Sequence, residues 1–89
     1  MNQIQGLGRA IREARRQSQL TQEQLAEKCD IHLNFVSRLE RGLASPSLKL
    51  LFALSDALAL PASVLLAKAE EFVANAPANS GVEDLTDNG

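Results

Sequence analysis

The 89 residues are enough for one domain with one core, because a chain of this size buries only about 60 to 65% of its unfolded surface. Apolar residues make up 45% of the chain but aromatic residues only 3%, so the core must be aliphatic, which favours helices over sheets. The chain has no basic leader followed by an apolar run and no stretch of about 20 apolar residues, so we expect a cytoplasmic protein without a membrane segment.

The net charge of −2 conceals an uneven distribution along the chain. Residues 1–49 hold eight Lys and Arg against five acidic residues, a balance of +3, whereas residues 50–89 hold one Lys against six acidic residues, a balance of −5. A positive field over the front half of the chain suits an anionic partner.

Apolar residues at spacings of three and four predict a first helix over residues 4–18. Its apolar stripe consists of Ile4, Leu7, Ile11 and Ala14, and Arg9, Arg12 and Arg16 then point away from the core. Thr21 followed by Gln24 has the form of a capping box, which predicts that a second helix starts there. This helix buries Leu25, Ala26 and Cys29. Asp30 tolerates left-handed backbone and is predicted to end the helix in a sharp turn.

A third helix is predicted over residues 32–41, because Gly42 offers a C-terminal stop. Its inward positions are Ile31, Val36 and Leu39. Its outward positions, Leu33, Asn34, Ser37, Arg38 and Arg41, place two guanidinium groups, an amide and a hydroxyl on one exposed face.

Two further helices are predicted to follow, each opened by a proline. Pro46 and a capping Ser47 begin the fourth, whose apolar positions are Leu48, Leu51, Phe52, Leu54 and Leu58. Pro61 begins the fifth, which runs to about Ala74 with Leu65, Ala69, Phe72 and Val73 as apolar positions. Residues 75–89 lack periodicity and are predicted to be a disordered acidic tail behind a domain of residues 1–74. The tail could bind a protein partner, or it could simply be solvated.

The chain offers no set of residues that suits catalysis, a metal or a cofactor. Cys29 is the single cysteine and is interpreted as a small buried hydrophobe, and His32 has no second ligand or nucleophile partner. Paired carboxylates, a nucleophile with its base and a phosphate-binding glycine loop are also missing from the sequence, so we expect a protein that is not an enzyme.

The outward face of the third helix fits the chemistry of base recognition. Arg38 can form a bidentate pair with guanine and Asn34 with adenine, and Leu33 can lie against a thymine methyl group. The alternative is a solvated helix face with an exposed leucine. Arg41, Ser45 and Ser47, in and beside the loop that contains Gly42, can hold the DNA backbone, and Lys49 is a further candidate.

The segment LTQEQLAEKCDIHLNFVSRLERGLASPSL resembles the helix-turn-helix of the Cro or XRE family, the phage-repressor type. The motif consists of Thr21-Gln22-Glu23, Leu25-Ala26, Val36-Ser37, Leu39-Glu40-Arg41-Gly42 and Pro46-Ser47-Leu48. The resemblance covers roughly residues 7–69. It implies an all-α, lambda-repressor-like bundle of five short helices that binds double-stranded DNA sequence-specifically. The third helix would lie in the major groove, usually as part of a two-fold dimer.

The resemblance also implies roles for individual residues. Gln22 would bind a phosphate at the N-terminus of the second helix, and Glu40 would form a partly buried ion pair with Arg15. The base-reading positions would be Leu33, Asn34, Ser37 and Arg38, with His32 as a further phosphate or base contact. Three residues depart from the family pattern: Asp30 replaces Gly, His32 replaces Ser or Thr, and Leu33 replaces a polar side chain.

The fifth helix has more apolar surface than a four-helix core needs, which predicts a homodimer interface. The residues that would form it are Val64, Leu65, Leu66, Phe72 and Val73, unless all of them cover the core. We expect a transcriptional repressor. The open alternatives are a restriction controller, an antitoxin, or a protein-interaction module on the same scaffold.

Overall fold

A computed structural model describes residues 1–77, which form five α-helices and no strand. The helices are α1 Gln3–Gln17, α2 Gln22–Cys29, α3 Leu33–Glu40, α4 Leu48–Ala57 and α5 Ala62–Ala74. The predicted all-α architecture is confirmed, and each predicted helix is present with bounds that differ by about one residue. The predicted tail begins where α5 ends, but residues 78–89 of it lie outside the described part of the chain.

Side-chain caps fix the starts of α1 to α4, whereas α5 begins after Pro61 without one. The Thr21 hydroxyl accepts the Gln24 backbone N–H at 3.0 Å and the Gln24 side chain accepts the Thr21 N–H at 2.9 Å, which confirms the predicted capping box. Asn2 and Gln5 form a second capping box at the start of α1 that the sequence reasoning missed. Ser47 caps α4 as predicted, with its hydroxyl accepting the Leu50 N–H at 3.1 Å.

Four helices end in a left-handed residue followed by an apolar one. The left-handed residues are Gln19 (φ 59°), Asp30 (φ 55°), Gly42 (φ 75°) and Ala59 (φ 57°). In each case the next residue donates its backbone N–H to the carbonyl five residues earlier, from Leu20 to Arg15, Ile31 to Ala26, Leu43 to Arg38 and Leu60 to Ser55. These bonds satisfy carbonyls that a helix end would otherwise leave without a partner. The predicted turn at Asp30 and stop at Gly42 are confirmed.

The core is aliphatic and receives side chains from all five helices. Its buried apolar members are Leu7, Ala10, Ile11, Ala14, Leu25, Ala26, Val36, Leu39, Leu51, Leu54, Leu58, Leu65 and Ala69. Cys29 is partly buried and packs against this cluster. Ile4, predicted on the apolar stripe of α1, lies at its edge and is 36% exposed.

Two of the five apolar positions predicted for the fourth helix are exposed. Leu48 is 67% exposed and Phe52 is 53% exposed, so these two apolar positions do not enter the core. The stripe of α4 that enters the core is Leu51, Leu54 and Leu58. Phe52 lies about 100° from Leu51 around the helix axis and therefore outside that stripe.

Helix α1 lies against α5 and crosses the C-terminal end of α3. A Cβ atom at Gly8 would stand 2.4 Å from the Leu39 carbonyl oxygen and 2.8 Å from the Glu40 carbonyl oxygen. Gly8 therefore permits a backbone approach that no other residue allows. This contact fixes the position of α3 relative to α1.

Within residues 1–77 no single helix is long and apolar enough to cross a membrane, whereas α4 and α5 taken together would meet that criterion but are bent by 98° at their junction.

Candidate nucleic-acid interface

Helices α2 and α3 are joined by a three-residue turn, Asp30 to His32. The Ile31 backbone N–H donates to the Ala26 carbonyl at 3.0 Å, and the Ile31 side chain packs against the core. The turn is therefore held from both its backbone and its side chain, and the two helices form a rigid helix-turn-helix.

The two faces of α3 differ sharply in burial. Val36 is 0% exposed and Leu39 1% exposed, so one face is closed off by the core. The outer face of α3, defined as Leu33, Asn34, Ser37, Arg38 and Arg41, is open to solvent, with Ser37 partly buried. The structure therefore brings all four residues predicted to read bases onto one accessible surface.

Both arginines of this outer face are oriented by backbone carbonyls. Arg38 donates from Nη2 to the Leu43 carbonyl at 3.1 Å, which ties the helix to the loop that follows it. Arg41 donates from Nε to the Ser37 carbonyl at 3.4 Å. A guanidinium group has five N–H donors, so each arginine keeps most of them for an external acceptor.

His32 has a structural role that the sequence reasoning missed. It is the N-cap of α3, and its Nδ1 accepts the Asn34 backbone N–H at 3.1 Å. Capping residues are usually Ser, Thr, Asp or Asn, which is why a histidine at this position gave no clear signal. The cap requires Nδ1 to be unprotonated, while Nε2 remains available to another partner.

A partly buried network joins α1, α2 and α3. Glu40 accepts hydrogen bonds from Arg15 Nε at 2.6 Å, from Arg15 Nη2 at 3.0 Å and from Gln22 Nε2 at 3.0 Å. Arg15 also donates from Nη1 to the Leu20 carbonyl at 2.9 Å. The Arg15–Glu40 ion pair implied by the resemblance is confirmed, and Gln22 is an additional member. Gln22 stands at the first position of α2, where its side chain is held in a fixed orientation.

The other residues predicted to contact a nucleic-acid backbone surround the loop between α3 and α4. Arg41, Ser45, Ser47 and Lys49 are exposed. The Ser47 hydroxyl oxygen is already an acceptor in the cap of α4, but its O–H can still donate.

The residues predicted for dimerisation are only partly accessible. Leu65 is 0% exposed, so its assignment to an interface is wrong: it lies on the stripe of α5 that fills the core. Val64 is 39% exposed and Leu66 is 42% exposed, on opposite sides of that stripe. Phe72 and Val73 are partly buried.

A more exposed apolar surface lies at α4 and its preceding loop. We call Leu43, Leu48 and Phe52 the helix-4 surface. They are 57%, 67% and 53% exposed, compared with 39% for Val64 and 42% for Leu66 on α5. Leu48 and Phe52 are four residues apart and share a face of the helix.

The helix-turn-helix family model matches residues 11–65, more than half of the chain. The transcriptional regulator ClgR of Mycobacterium tuberculosis is 37% identical over 68 residues, which are 76% of this chain and 61% of the relative. The immunity repressor protein of Bacillus phage phi105 is 35% identical over 60 residues, which are 67% of this chain and 42% of the relative. The chain thus spans about three fifths and two fifths of these relatives' lengths. The restriction-modification controller protein C.AhdI from Aeromonas hydrophila is 31% identical in sequence. Its crystal structure matches this fold with a TM-score of 0.68, over 70% of this chain and 94% of its own.

Proposed function

The chain belongs to the helix-turn-helix family, and on that premise we propose that it is a sequence-specific regulator of transcription that binds double-stranded DNA as a homodimer. The observation that carries the proposal is the outer face of α3, which presents two guanidinium groups and an amide from a helix whose opposite face is closed by the core. A helix of this kind fits the major groove of B-DNA. The regulatory role that we assign to it is repression, by analogy with the similar phage immunity repressor.

Base recognition is assigned to Leu33, Asn34, Ser37 and Arg38. The guanidinium of Arg38 matches the two acceptors of guanine, the amide of Asn34 matches adenine, and Leu33 fits a thymine methyl group. Each bidentate pair contributes about 1 to 3 kcal/mol of discrimination. The bond from Arg38 to the Leu43 carbonyl supports this assignment, because it restricts the rotamers of the arginine before DNA is bound. Less side-chain entropy is then lost on binding.

Backbone contacts are assigned to residues on either side of α3. Gln22 has one amide N–H in the network with Glu40, and its second N–H can donate to a phosphate at the N-terminus of α2. The remaining backbone contacts are His32, Arg41, Ser45, Ser47 and Lys49. Such contacts set the register of the protein on DNA and carry no sequence information.

A homodimer follows from the need to read more base pairs than one α3 can reach. We place its interface at the helix-4 surface, because its three apolar side chains are each more than half exposed. The α5 residues predicted earlier, Val64 and Leu66, offer a smaller and divided apolar area.

Selection of a preferred duplex from random DNA, followed by titration with variants, tests the DNA-binding function. We expect Arg38→Ala and Asn34→Ala to weaken binding to the selected duplex by about 5-fold to 150-fold, which corresponds to about 1 to 3 kcal/mol. Lys28→Ala is the control, because it removes the same charge as Arg38→Ala from an exposed position of α2. The logarithm of affinity should fall with the logarithm of salt concentration with a slope of about −0.9 per phosphate contact. If no preferred duplex emerges, or if both variants bind it like the wild type, the proposal is wrong.

Sedimentation at micromolar concentration, with and without DNA, tests the dimer. We expect Phe52→Glu to abolish dimerisation and Leu66→Glu to leave it intact, and the reverse result would place the interface on α5. A wild-type chain that is monomeric in both conditions refutes the dimer. If that chain also fails to select any duplex, the helix-4 surface favours the alternative function, a protein-interaction module.

A further inference from the structure

A cleft of about 480 Å³ lies beside α1 and α5, away from the residues assigned to base recognition. We call it the arginine cleft. The residues that line it are Arg9, Arg12, Glu13, Arg16, Gln17, Glu40 and Phe72. The three arginines are three and four residues apart on α1, so they share one face of the helix and span about 10 Å along its axis.

The two acidic residues of the arginine cleft already have cationic partners that do not line it. Glu40 is paired with Arg15 at 2.6 Å, and Glu13 lies 3.7 Å from the ammonium group of Lys68. Within residues 1–77, Arg12 and Arg16 form no ion pair, and the Arg9 guanidinium lies over the Phe72 ring at 5.2 Å from its centroid. The cleft therefore presents three arginines that form no ion pair within the described part of the chain.

We propose that the arginine cleft binds the acidic segment of the same chain, residues 78–89. That segment contains Glu83, Asp84 and Asp87 and no Lys or Arg, so its three negative charges match the three arginines. The spacing also fits, because the four residues from Glu83 to Asp87 span at most about 14 Å when extended.

The connection of the chain favours this occupant over a separate molecule. Phe72 lines the cleft, and α5 ends two residues later at Ala74, so the polypeptide leaves the helix beside the site. The six residues from Pro77 to Glu83 reach at most about 20 Å, which is twice the length of the arginine row. A tether of this length gives an effective concentration in the millimolar range, so even weak ion pairs suffice for occupancy. Bound in this way, the segment shields part of the positive field of the front half of the chain.

The side-chain Nε–Hε resonances of Arg9, Arg12 and Arg16 in the full chain, recorded by NMR without DNA, test the proposal. We compare the wild type with the neutralised variant E83Q/D84N/D87N at low ionic strength and at about 0.5 M salt, where exposed ion pairs are screened. The three resonances should differ between the two proteins at low salt and coincide at high salt. The control variant E23Q/E27Q removes two exposed acidic residues from α2 and should leave the three resonances unchanged.

A charge exchange makes the test specific for the proposed contact. In R12E/R16E the salt-dependent shifts of the backbone amides of residues 78–89 should disappear, and in R12E/R16E/E83K/D84K they should return. The salt-dependent shifts should also disappear in R12Q/R16Q. This variant serves as the test if the reversed charges of R12E/R16E impair folding. Identical arginine resonances in the wild type and the neutralised variant would overturn the proposal. So would shifts that grow with protein concentration, which would assign the acidic segment to a second copy. Because DNA is absent, these outcomes are independent of the proposed function.

Discussion

Replacing Glu40 with alanine is expected to destabilise the protein strongly, because this carboxylate holds three helices together. Its side chain is 3% exposed and accepts three hydrogen bonds, two from Arg15 and one from Gln22. In Glu40→Ala the guanidinium of Arg15, whose side chain is 11% exposed, loses its counter-charge while its burial is retained.

The magnitude follows from the burial of the pair. Removing one partner of a buried ion pair costs about 3 to 5 kcal/mol. Arg15 retains its bond to the Leu20 carbonyl at 2.9 Å and some contact with water, so we expect the lower end, about 3 kcal/mol. The free energy of unfolding of a domain this size is about 4 to 13 kcal/mol, so the loss is a large fraction of it. The melting temperature should fall by about 12 to 24 °C.

Urea denaturation followed by circular dichroism measures this loss, with the slope against urea concentration expected to stay constant. The matched comparison is the double variant Arg15→Met with Glu40→Met, which leaves no unpaired charge and should recover most of the stability. A loss below about 1 kcal/mol for Glu40→Ala would refute the reasoning. A double variant as unstable as the sum of the two single variants would refute it as well.

Three further outcomes follow from individual positions. Gly8→Ala should cost about 1 to 3 kcal/mol, because its Cβ would lie 2.4 Å from the Leu39 carbonyl oxygen; an unchanged melting curve would show that α1 can move away. His32→Ala should lose about 1 kcal/mol in urea denaturation while His32→Asn keeps the cap, and equal losses for both would argue against capping by this residue. Burial raises the pKa of the Cys29 thiol, so alkylation of the folded protein should reach its half-maximal rate at a higher pH than alkylation of the unfolded chain; coincident pH profiles would contradict this.

The local features of the fold were predictable from the sequence because their causes are local. Thr21 and Gln24 are three residues apart in the capping box, and Asp30 and Gly42 mark helix ends through their own backbone preferences. Helix bounds depend on such short-range interactions, so the predicted and observed bounds agree closely. The Arg15–Glu40 pair is long-range, and it was accessible only through the resemblance to a known family.

The exposed apolar residues were not predictable in the same way. Helix α4 has apolar residues around most of its circumference, and which stripe is buried depends on how α2 and α5 pack against it. Periodicity alone therefore could not separate Leu51 from Phe52, nor place Leu65 in the core instead of on an interface. The roles of His32 as a cap and of Gln22 as a partner of Glu40 likewise depend on distances that only the folded chain defines.

The left-handed alanine between α4 and α5 indicates a substitution that would make the protein more stable. Ala59 holds φ at 57°, a conformation that costs an alanine about 1 to 2 kcal/mol and a glycine almost nothing. A glycine there would lower the free energy of unfolding by about 0.4 to 1 kcal/mol through the greater freedom of the unfolded chain. Because this loss is smaller than the strain relieved, the substitution should still stabilise the protein. Ala59→Gly is therefore expected to raise the melting temperature. The position is exposed, lies far along the chain from α3, and is not among the residues assigned to DNA binding.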